Sequence, residues 1–295
     1  MSQNIPTHYA QQYASNIELL LQQKGSRLRD TCTPMSVSGA KAAVPVDQLG
    51  KVEATKRTTR YPTLVPADTP TDRPWVYPSD YDWNDLIDSI DKLRVLTDPQ
   101  SSYVTNGTYA MGRSQDKEII AAFFADRKTG ESGATTTSFL AANVVAVNAG
   151  ASGAVGLTVA KLRSAKKLLL AAEVDLDMDP ITVPITAAQH DNLLAEIQIT
   201  SMDFNDRPVL TEGNVTRFLG MNFKHTELLK TDSSGYREIP VYAKSGMTFA
   251  TWNEITTDVS IRKDLAGLPA QVYVFGTYGA TRTQEQKVVK ILCAE

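Results

Sequence analysis

The sequence predicts an α+β fold, and three observations carry that prediction. A polar stretch rich in strand formers runs from Val46 to Tyr77 with almost no apolar core of its own. A long helical pattern opens at Asp98-Pro99. From Val209 onward, short runs of strand formers separated by turn residues replace the helical spacing. No strand-helix-strand rhythm repeats along the chain, which argues against a doubly wound parallel sheet.

Composition narrows the function classes. With 42% hydrophobic and 21% charged residues over 295 positions, the chain is globular and long enough to bury about 75% of its unfolded surface. A net charge of -3 argues against a dedicated nucleic-acid binder, which needs a basic balance or face. The charge is uneven: residues 1–60 hold eight Lys/Arg against four acids, a net +4 that leaves -7 for the remainder. Two cysteines, Cys32 and Cys293, are too few for a disulfide framework, so a reducing compartment is expected. The first residues lack a basic start followed by an apolar core, and no run reaches the ~18 apolar residues of a membrane span. The expectation is a protein that is cytosolic and soluble when made, with no membrane partner.

Tyr9, Tyr13, Ile17, Leu20 and Leu21 recur at spacings of three and four, and Gly25 follows as a stop, so residues 7–24 read as an amphipathic helix. Its stripe is narrow, which points to docking on a partner, with a frayed terminus as the competing reading. After the loose segment TCTPMSVSGAKAAVP comes the polar stretch, with Pro62, Pro66, Pro70, Pro74 and the cations Lys51, Lys56, Arg57 and Arg60. An isolated hairpin of this composition cannot stand alone, so it is expected to be an arm completed by a neighbouring molecule.

Leu86, Ile90 and Leu93 lie on one helical face, which predicts a short helix over Tyr81–Leu96. Asp98 then caps the long helix and Pro99 takes its first position, where a missing N–H does no harm. The pattern continues to about Asp126, a rod of roughly 40 Å. Gly107 and Gly112 inside it read equally as close crossing by another backbone or as simple tolerance. The polar run Thr129–Thr137 and the glycine cluster at 150–156 read as flexible connections on either side of a strand at Val144–Val147. Thr158 caps a helix through Glu173 that carries Leu162, Ala165, Leu168, Leu169 and Ala172 on one side and Lys161, Lys166 and Lys167 on the other. A strand at Ile181–Ile185 follows, with Pro184 marking a sheet edge. Thr186 and Gln189 then have capping-box spacing and open a helix containing Leu193, Leu194 and Ile197. The late strands are Val209–Thr211, Phe218–His225, Ile239–Ala243, Met247–Trp252, Val259–Ile261, Gln271–Arg282 and Val288–Cys293, read as an antiparallel sheet.

Catalytic and metal chemistry finds no foothold in the motifs. The run Glu173, Asp175, Asp177, Asp179 imitates a calcium loop, but its sixth and twelfth positions are Pro180 and Thr186 instead of Gly and Glu. His8, His190 and His225 have no ligand spacing, and His190 beside Asp191 reads as a surface residue. There is no GxSxG, GxxxxGK[ST] or GxGxxG, and Gly150, Gly153 and Gly156 have the wrong spacing for phosphate. Trp75, Tyr77, Tyr81 and Trp83 offer a stacking platform for single strands, but Asp72, Asp80, Asp82 and Asp85 make that segment acidic, which favours packing within the protein. No catalytic, cofactor-binding or metal residue is assigned, and no cofactor is expected.

The order of these parts, with the stretches SNIELLLQQKGSRLR, PVDQLGKVEATKRTTRYPTLV, DKLRVLTDPQSSYVTNGTYAMGRSQDKEIIAAFF, ITSMDFNDRPVLTEGNVTRFLGMNF, KTDSSGYREIPVYAKSGMTFATWN and IRKDLAGLPAQVYVFGTYGATR, resembles the major capsid proteins of tailed bacteriophages, with the Hong Kong 97-like capsid fold also used by encapsulins. The resemblance covers nearly the whole chain. It implies an N-terminal arm at 1–45 and an extended loop at 46–80. It further implies a peripheral domain of 81–157 and 258–295 with a spine helix at 98–126, and an axial domain at 158–257. The implied function is a structural shell of hexamers and pentamers that encloses double-stranded DNA in an icosahedral head, assembled in the bacterial cytoplasm and resident in the virion. Implied partners are other copies of the chain, a portal, a cement or decoration protein, and packaged DNA contacted without specificity. Too few residues precede the loop to hold a scaffolding extension, so a separate scaffold protein is expected. The positive charge near the N-terminus is expected to face the interior. The self-crosslinking residues of one branch of the family find no matching positions here. An encapsulin-like compartment shell and an enzyme with a cryptic site are the competing readings.

Overall fold

The structure is a computed structural model that describes residues 21–38, 43–61, 63, 66–87, 100–176, 178–196 and 215–295. Most of the expected N-terminal helix, the Asp98 cap, residues 88–96 of the expected short helix and the strand Val209–Thr211 lie outside these residues. In chain order the elements are β1 (Thr33–Ser36), β2 (Val44–Pro45), β3 (Gln48–Leu49), β4 (Thr71–Asp72), β5 (Trp75–Val76), β6 (Ser79–Ile87) and the long helix α1 (Gln100–Phe124). Next come β7 (Arg127–Thr129), β8 (Thr135–Thr137), β9 (Val144–Val145), α2 (Val159–Ala171), β10 (Ile181–Ile185) and α3 (Ala187–Ala195). Then follow β11 (Arg217–Phe218), β12 (Met221–His225), β13 (Arg237–Ala243), β14 (Met247–Ile261), β15 (Ala270–Arg282) and β16 (Val288–Cys293). The chain divides into two compact units. The first takes in Ser79–Asp116 and Trp252–Tyr278 with the chain up to Ser26, and the second takes in Arg27–Pro78, Lys117–Thr251 and Gly279–Glu295.

In the first unit, β15 follows the period of two that a half-covered strand requires. Val272, Val274 and Tyr278 are buried, while Gln271, Tyr273, Phe275 and Thr277 between them are half-exposed. β6 pairs antiparallel with it, from Ala270 opposite Ile87 to Tyr278 opposite Ser79. The sequence reading of a helix over Tyr81–Leu96 is therefore wrong for Tyr81–Ile87. The Leu86, Ile90, Leu93 spacing suggested helical period, but SDYDWNDLI also alternates, and pairing with β15 satisfies its backbone while placing Tyr81 and Trp83 inward. Tyr81 stacks on Tyr278 with ring centroids 4.9 Å apart.

Helix α1 lies on the buried face of this sheet. A Cβ added to Gly107 would stand 2.5 Å from the Trp83 ring and 2.8 Å from Val274. At Gly112 the obstacle is backbone: Gly25 lies at 2.5 Å and the Ser26 nitrogen at 2.6 Å. Another backbone thus crosses at Gly112, whereas at Gly107 side chains take the space. The crossing segment is held by Arg113, which donates to Gln22 Oε1 at 2.6 Å, and by Asp116, which accepts from Gln23 and Ser26. Gly112→Ala gains up to about 1 kcal/mol of helix propensity. The backbone clash costs about 3 kcal/mol, so a net loss of about 2 kcal/mol in denaturant unfolding is expected.

In the second unit a six-stranded sheet runs in the order β11-β12-β10-β13-β16-β9. It is mixed, which corrects the antiparallel expectation: β10 pairs parallel with β12, and β16 parallel with β9. A parallel neighbour needs a crossover longer than a hairpin turn, and α3 with its following segment supplies it. The capping box at its start has formed, with Gln189 Oε1 accepting from the Thr186 N–H at 3.0 Å. β10 is interior, not the edge that Pro184 implied. The Ile185 carbonyl bonds toward β12, so the Pro184 nitrogen points toward β13, whose pairing covers just Ile181 and Thr182. The missing N–H therefore costs no ladder bond.

Three other boundaries moved. The polar run after Thr129 forms the β7–β8 hairpin, with Gly130 and Gly133 at φ +90° and +72° in its turn. Phe218–His225 splits into β11 and β12 about Leu219 and Gly220, at φ 53° and 79°, which is the geometry of a tight hairpin turn. The two strands expected at Met247–Trp252 and Val259–Ile261 are one continuous β14.

Helix α2 sits against β16 and β9 with Leu162, Ala165 and Leu169 fully buried, and Thr158 caps it by accepting from the Lys161 N–H. Lys161, expected on the polar side, is instead buried, because two backbone carbonyls satisfy its ammonium. Its Nζ donates to the carbonyls of Val155 at 2.7 Å and Leu292 at 2.8 Å and lies 3.9 Å from Cys293 Sγ. Burial lowers the Lys161 pKa and pushes the Cys293 thiol up to about 12, so this cysteine stays protonated and inert.

Candidate functional site

The polar stretch forms a projecting ribbon. Val44 pairs with Val76, Pro45 with Trp75, Gln48 with Asp72 and Leu49 with Thr71. Backbone bonds from Val46 N to Pro74 O (2.8 Å) and from Gly50 N to Pro70 O (2.7 Å) complete the ladder. Gly50 is needed there, since a Cβ would lie 2.7 Å from the Pro70 ring. Residues 51–61 and 66–70 belong to no strand and are exposed throughout. Proline has no N–H to donate, so Pro66 and Pro70 prevent the pairing from continuing outward.

The base of the ribbon is anchored firmly. Val44 and Val76 are buried, β5 pairs with β7, and Trp75 Nε1 donates to the Gly130 carbonyl at 2.7 Å. Arg127, itself buried, donates to Asp72 Oδ2 at 2.8 Å and to the Thr283 carbonyl at 2.8 Å. Its Nε stands 2.8 Å from Glu285 Oε1, an ion pair without an aligned hydrogen bond. Glu285 in turn receives Arg282, whose Nη1 donates to the carbonyls of Phe123 (2.8 Å), Ala125 (2.7 Å) and Ala122 (3.3 Å). Helix α1 has no basic residue in its last turn, and Arg282 supplies the cation that its negative end favours. A continuous line of charge, Asp72–Arg127–Glu285–Arg282, thus ties the ribbon base to the end of α1.

The ribbon's outer part has little to hold it. Leu49 is 80% and Tyr61 86% exposed, values that leave these apolar side chains uncovered. Lys51 pairs with Glu173 at 3.3 Å, but both side chains are solvated and the pair is worth about 0–1 kcal/mol. A groove of about 750 Å³ opens between the ribbon and the β7–β8 turn, lined by Asp47, Leu49, Asp72, Arg73, Gly130 and Glu131.

The residues weighed for chemistry have structural partners. Asp179 binds Ser245 and stands 3.6 Å from Lys287, while Asp175 Oδ1 accepts from the Met178 N–H. His190 is half-buried and accepts from the Val215 N–H at 3.2 Å, so it anchors backbone where the sequence suggested a surface residue. His225 joins Arg27 to Glu227, which accepts from the N–H of Ala187 at the start of α3. Trp75, Tyr81 and Trp83 pack within the protein, as their acidic setting implied, and Tyr77 remains half-exposed. Among the described residues, no group of three or more His, Cys, Asp or Glu is placed to hold a metal, and no helix is long and apolar enough to cross a membrane. The Arg282–Glu285 junction escaped sequence reading; its one signal was an arginine ending an otherwise apolar strand, three residues before a glutamate.

A model of the family described as phage capsid protein matches residues 5–295. No curated protein matches the sequence. Solved structures share the fold at low identity. The capsid structure of cyanophage P-SCSP1u aligns over 100% of this chain and 96% of its own, at 12% identity and a TM-score of 0.74. The capsid of cyanophage Pam1 aligns over 98% and 97%, at 12% identity and a TM-score of 0.71. The capsid of Ralstonia phage GP4 aligns over 97% and 96%, at 11% identity and a TM-score of 0.68. With the fold shared along its whole length and the family matched from residue 5 to residue 295, the chain belongs to the phage capsid protein family and is a structural major capsid protein of the virion.

Proposed function

We propose that this protein builds the icosahedral head of a phage from hexamers and pentamers of itself, enclosing double-stranded DNA, and that it performs no catalysis. The observation that carries this reading is the ribbon: a well-anchored base bearing an outer part with exposed apolar and basic side chains, in a chain of the phage capsid family. An element built this way gains its buried surface from a neighbouring copy. In this reading residues 1–45 are an arm, 46–80 the loop that overlaps a neighbour, 81–157 and 258–295 the peripheral domain with its spine helix, and 158–257 the axial domain around the capsomer centre. A separate scaffold protein and a portal complete the head, which assembles in the bacterial cytoplasm. The net charge of -3 suits a container whose polyanionic contents must slide, because a strongly basic wall would hold DNA through counterion release.

Electron microscopy of the protein expressed with its scaffold tests this directly. Closed shells with five- and six-fold capsomers are expected. A monomer that stays dispersed at every concentration, or shells that enclose cargo protein in place of DNA during infection, would overturn it.

A further inference from the structure

Between the turn Arg29–Thr31 and the six-stranded sheet lies a cavity of about 410 Å³ whose polar side chains do not satisfy one another. We propose that it binds a small phosphorylated ligand, a single phosphate carried on a body with free hydroxyl groups, such as a sugar phosphate or a nucleoside monophosphate. The inference is independent of how copies assemble, because every residue of the site belongs to the second unit of one subunit.

The sheet supplies the floor. Thr182 of β10 stands opposite Asn222 of β12 and opposite Tyr242 of β13, so the three share a face, and Lys224, two residues beyond Asn222, shares it too. The turn supplies the roof: the Thr31 hydroxyl donates to the Leu28 carbonyl and meets the Tyr242 hydroxyl, which ties the turn to the sheet. Lys244 closes one side, with its N–H on the Pro180 carbonyl at 3.1 Å and its carbonyl accepting from the Thr33 hydroxyl at 3.1 Å. Thr216 is fixed next to β12 by the Phe223 N–H, which donates to its carbonyl at 2.9 Å. These bonds hold the wall in place before a ligand arrives, which lowers the ordering cost of binding.

Thr182 singles this cavity out. It is 4% exposed, and its hydroxyl makes no hydrogen bond among the described residues. Buried polar groups are normally paired, so an unpaired one lining a cavity calls for a partner from outside the chain. Around it, and again among the described residues, Lys224 and Lys244 meet no carboxylate, and the Asn222 amide and the Thr216 hydroxyl have no side-chain bond.

These groups select the ligand by chemistry. Two lysines act as point charges for an anion, and three neutral donors accompany them. A carboxylate offers two oxygens in one plane, whereas a phosphate offers three strong acceptors spread in space, which suits the larger donor set. Asp30, the one acid among the lining residues, repels a second phosphate and accepts from a hydroxyl, so monophosphates with hydroxylated bodies are favoured over polyphosphates. The volume lies within the range of small-molecule pockets, and it has room for such a body.

Isothermal titration calorimetry of the full-length protein with ribose 5-phosphate tests the site. Saturable one-to-one binding is expected, with ribose and inorganic phosphate each weaker by about tenfold or more. Lys224→Ala/Lys244→Ala should weaken ribose 5-phosphate by about tenfold or more as well. Thr182→Val separates binding from folding: valine fills the same space without an unpaired hydroxyl, so the melting temperature should hold or rise while the dissociation constant rises by about fivefold. Competition by tetrathymidylate bearing a 5′-phosphate, run beside the unphosphorylated strand, identifies the source. Competition by the phosphorylated strand supports a nucleic-acid end as the natural ligand, and its failure to compete supports a free small molecule. No saturable binding of ribose 5-phosphate, equal affinity for ribose, or binding undiminished in Lys224→Ala/Lys244→Ala would overturn the assignment.

Discussion

Replacing residues 51–69 with a short glycine-serine turn is expected to give a folded subunit that forms no shells. The ladder from Val44 to Gly50 and from Pro70 to Val76 survives this deletion, as do Trp75, Arg127 and the buried pair Val44–Val76. The described side chains among those deleted are exposed, so the unfolding free energy should change by no more than about 0.5 kcal/mol. Assembly behaves differently. In the proposed lattice every copy both extends a ribbon and receives one, so a single deletion removes a contact from each position. Matched thermal melts together with loss of particles in light scattering and electron microscopy would be the signature. Normal particles from the deleted protein would show that the ribbon is dispensable.

The second large effect is expected inside the subunit. Arg282 is fully buried, and its removal by Arg282→Met leaves Glu285 with the single unaligned Arg127 Nε contact and three carbonyls at the end of α1 without their donor. Breaking a buried pair from one side costs about 3–5 kcal/mol, a large part of the ~5–15 kcal/mol that holds a typical domain folded. Arg282→Lys keeps the charge but loses the planar fork that reaches Glu285 and the helix end together, so it should recover part of the loss. Adding Glu285→Gln to Arg282→Met should recover part as well, because the stranded carboxylate is gone. Chemical denaturation of the three variants checks the order. If Arg282→Met were as stable as the parent, the line of charge from Asp72 to α1 would have no structural weight.

Sequence reading succeeded where a local rule decided the outcome. Helix α1 falls within the expected 98–126, Thr158 caps α2, and Thr186 with Gln189 opens α3, because caps and periodicity are written in residues three or four apart. Gly112 and Gly107 signalled close approach for the same reason: a glycine inside a helix is costly unless something occupies the place of its side chain. The ribbon was legible from its prolines and missing core.

Failures occurred where partners distant in sequence decided. β6 became a strand because β15, almost two hundred residues later, offers a matching ladder, and no window around Tyr81 contains that information. Pro184 misled because proline marks an unpaired N–H, which an interior strand supplies wherever one neighbour ends early. The mixed sheet depends on which strand β12 chooses, and Arg282 acquires its role from a helix end that precedes it by more than 150 positions.

A density map of the assembled particle, at a resolution that traces the backbone, tests the central claim most directly. The account predicts residues 46–76 of each copy laid over a neighbouring copy, with Leu49 and Tyr61 covered by it. A ribbon folded back on its own subunit, or standing free in solvent in a closed shell, would contradict it.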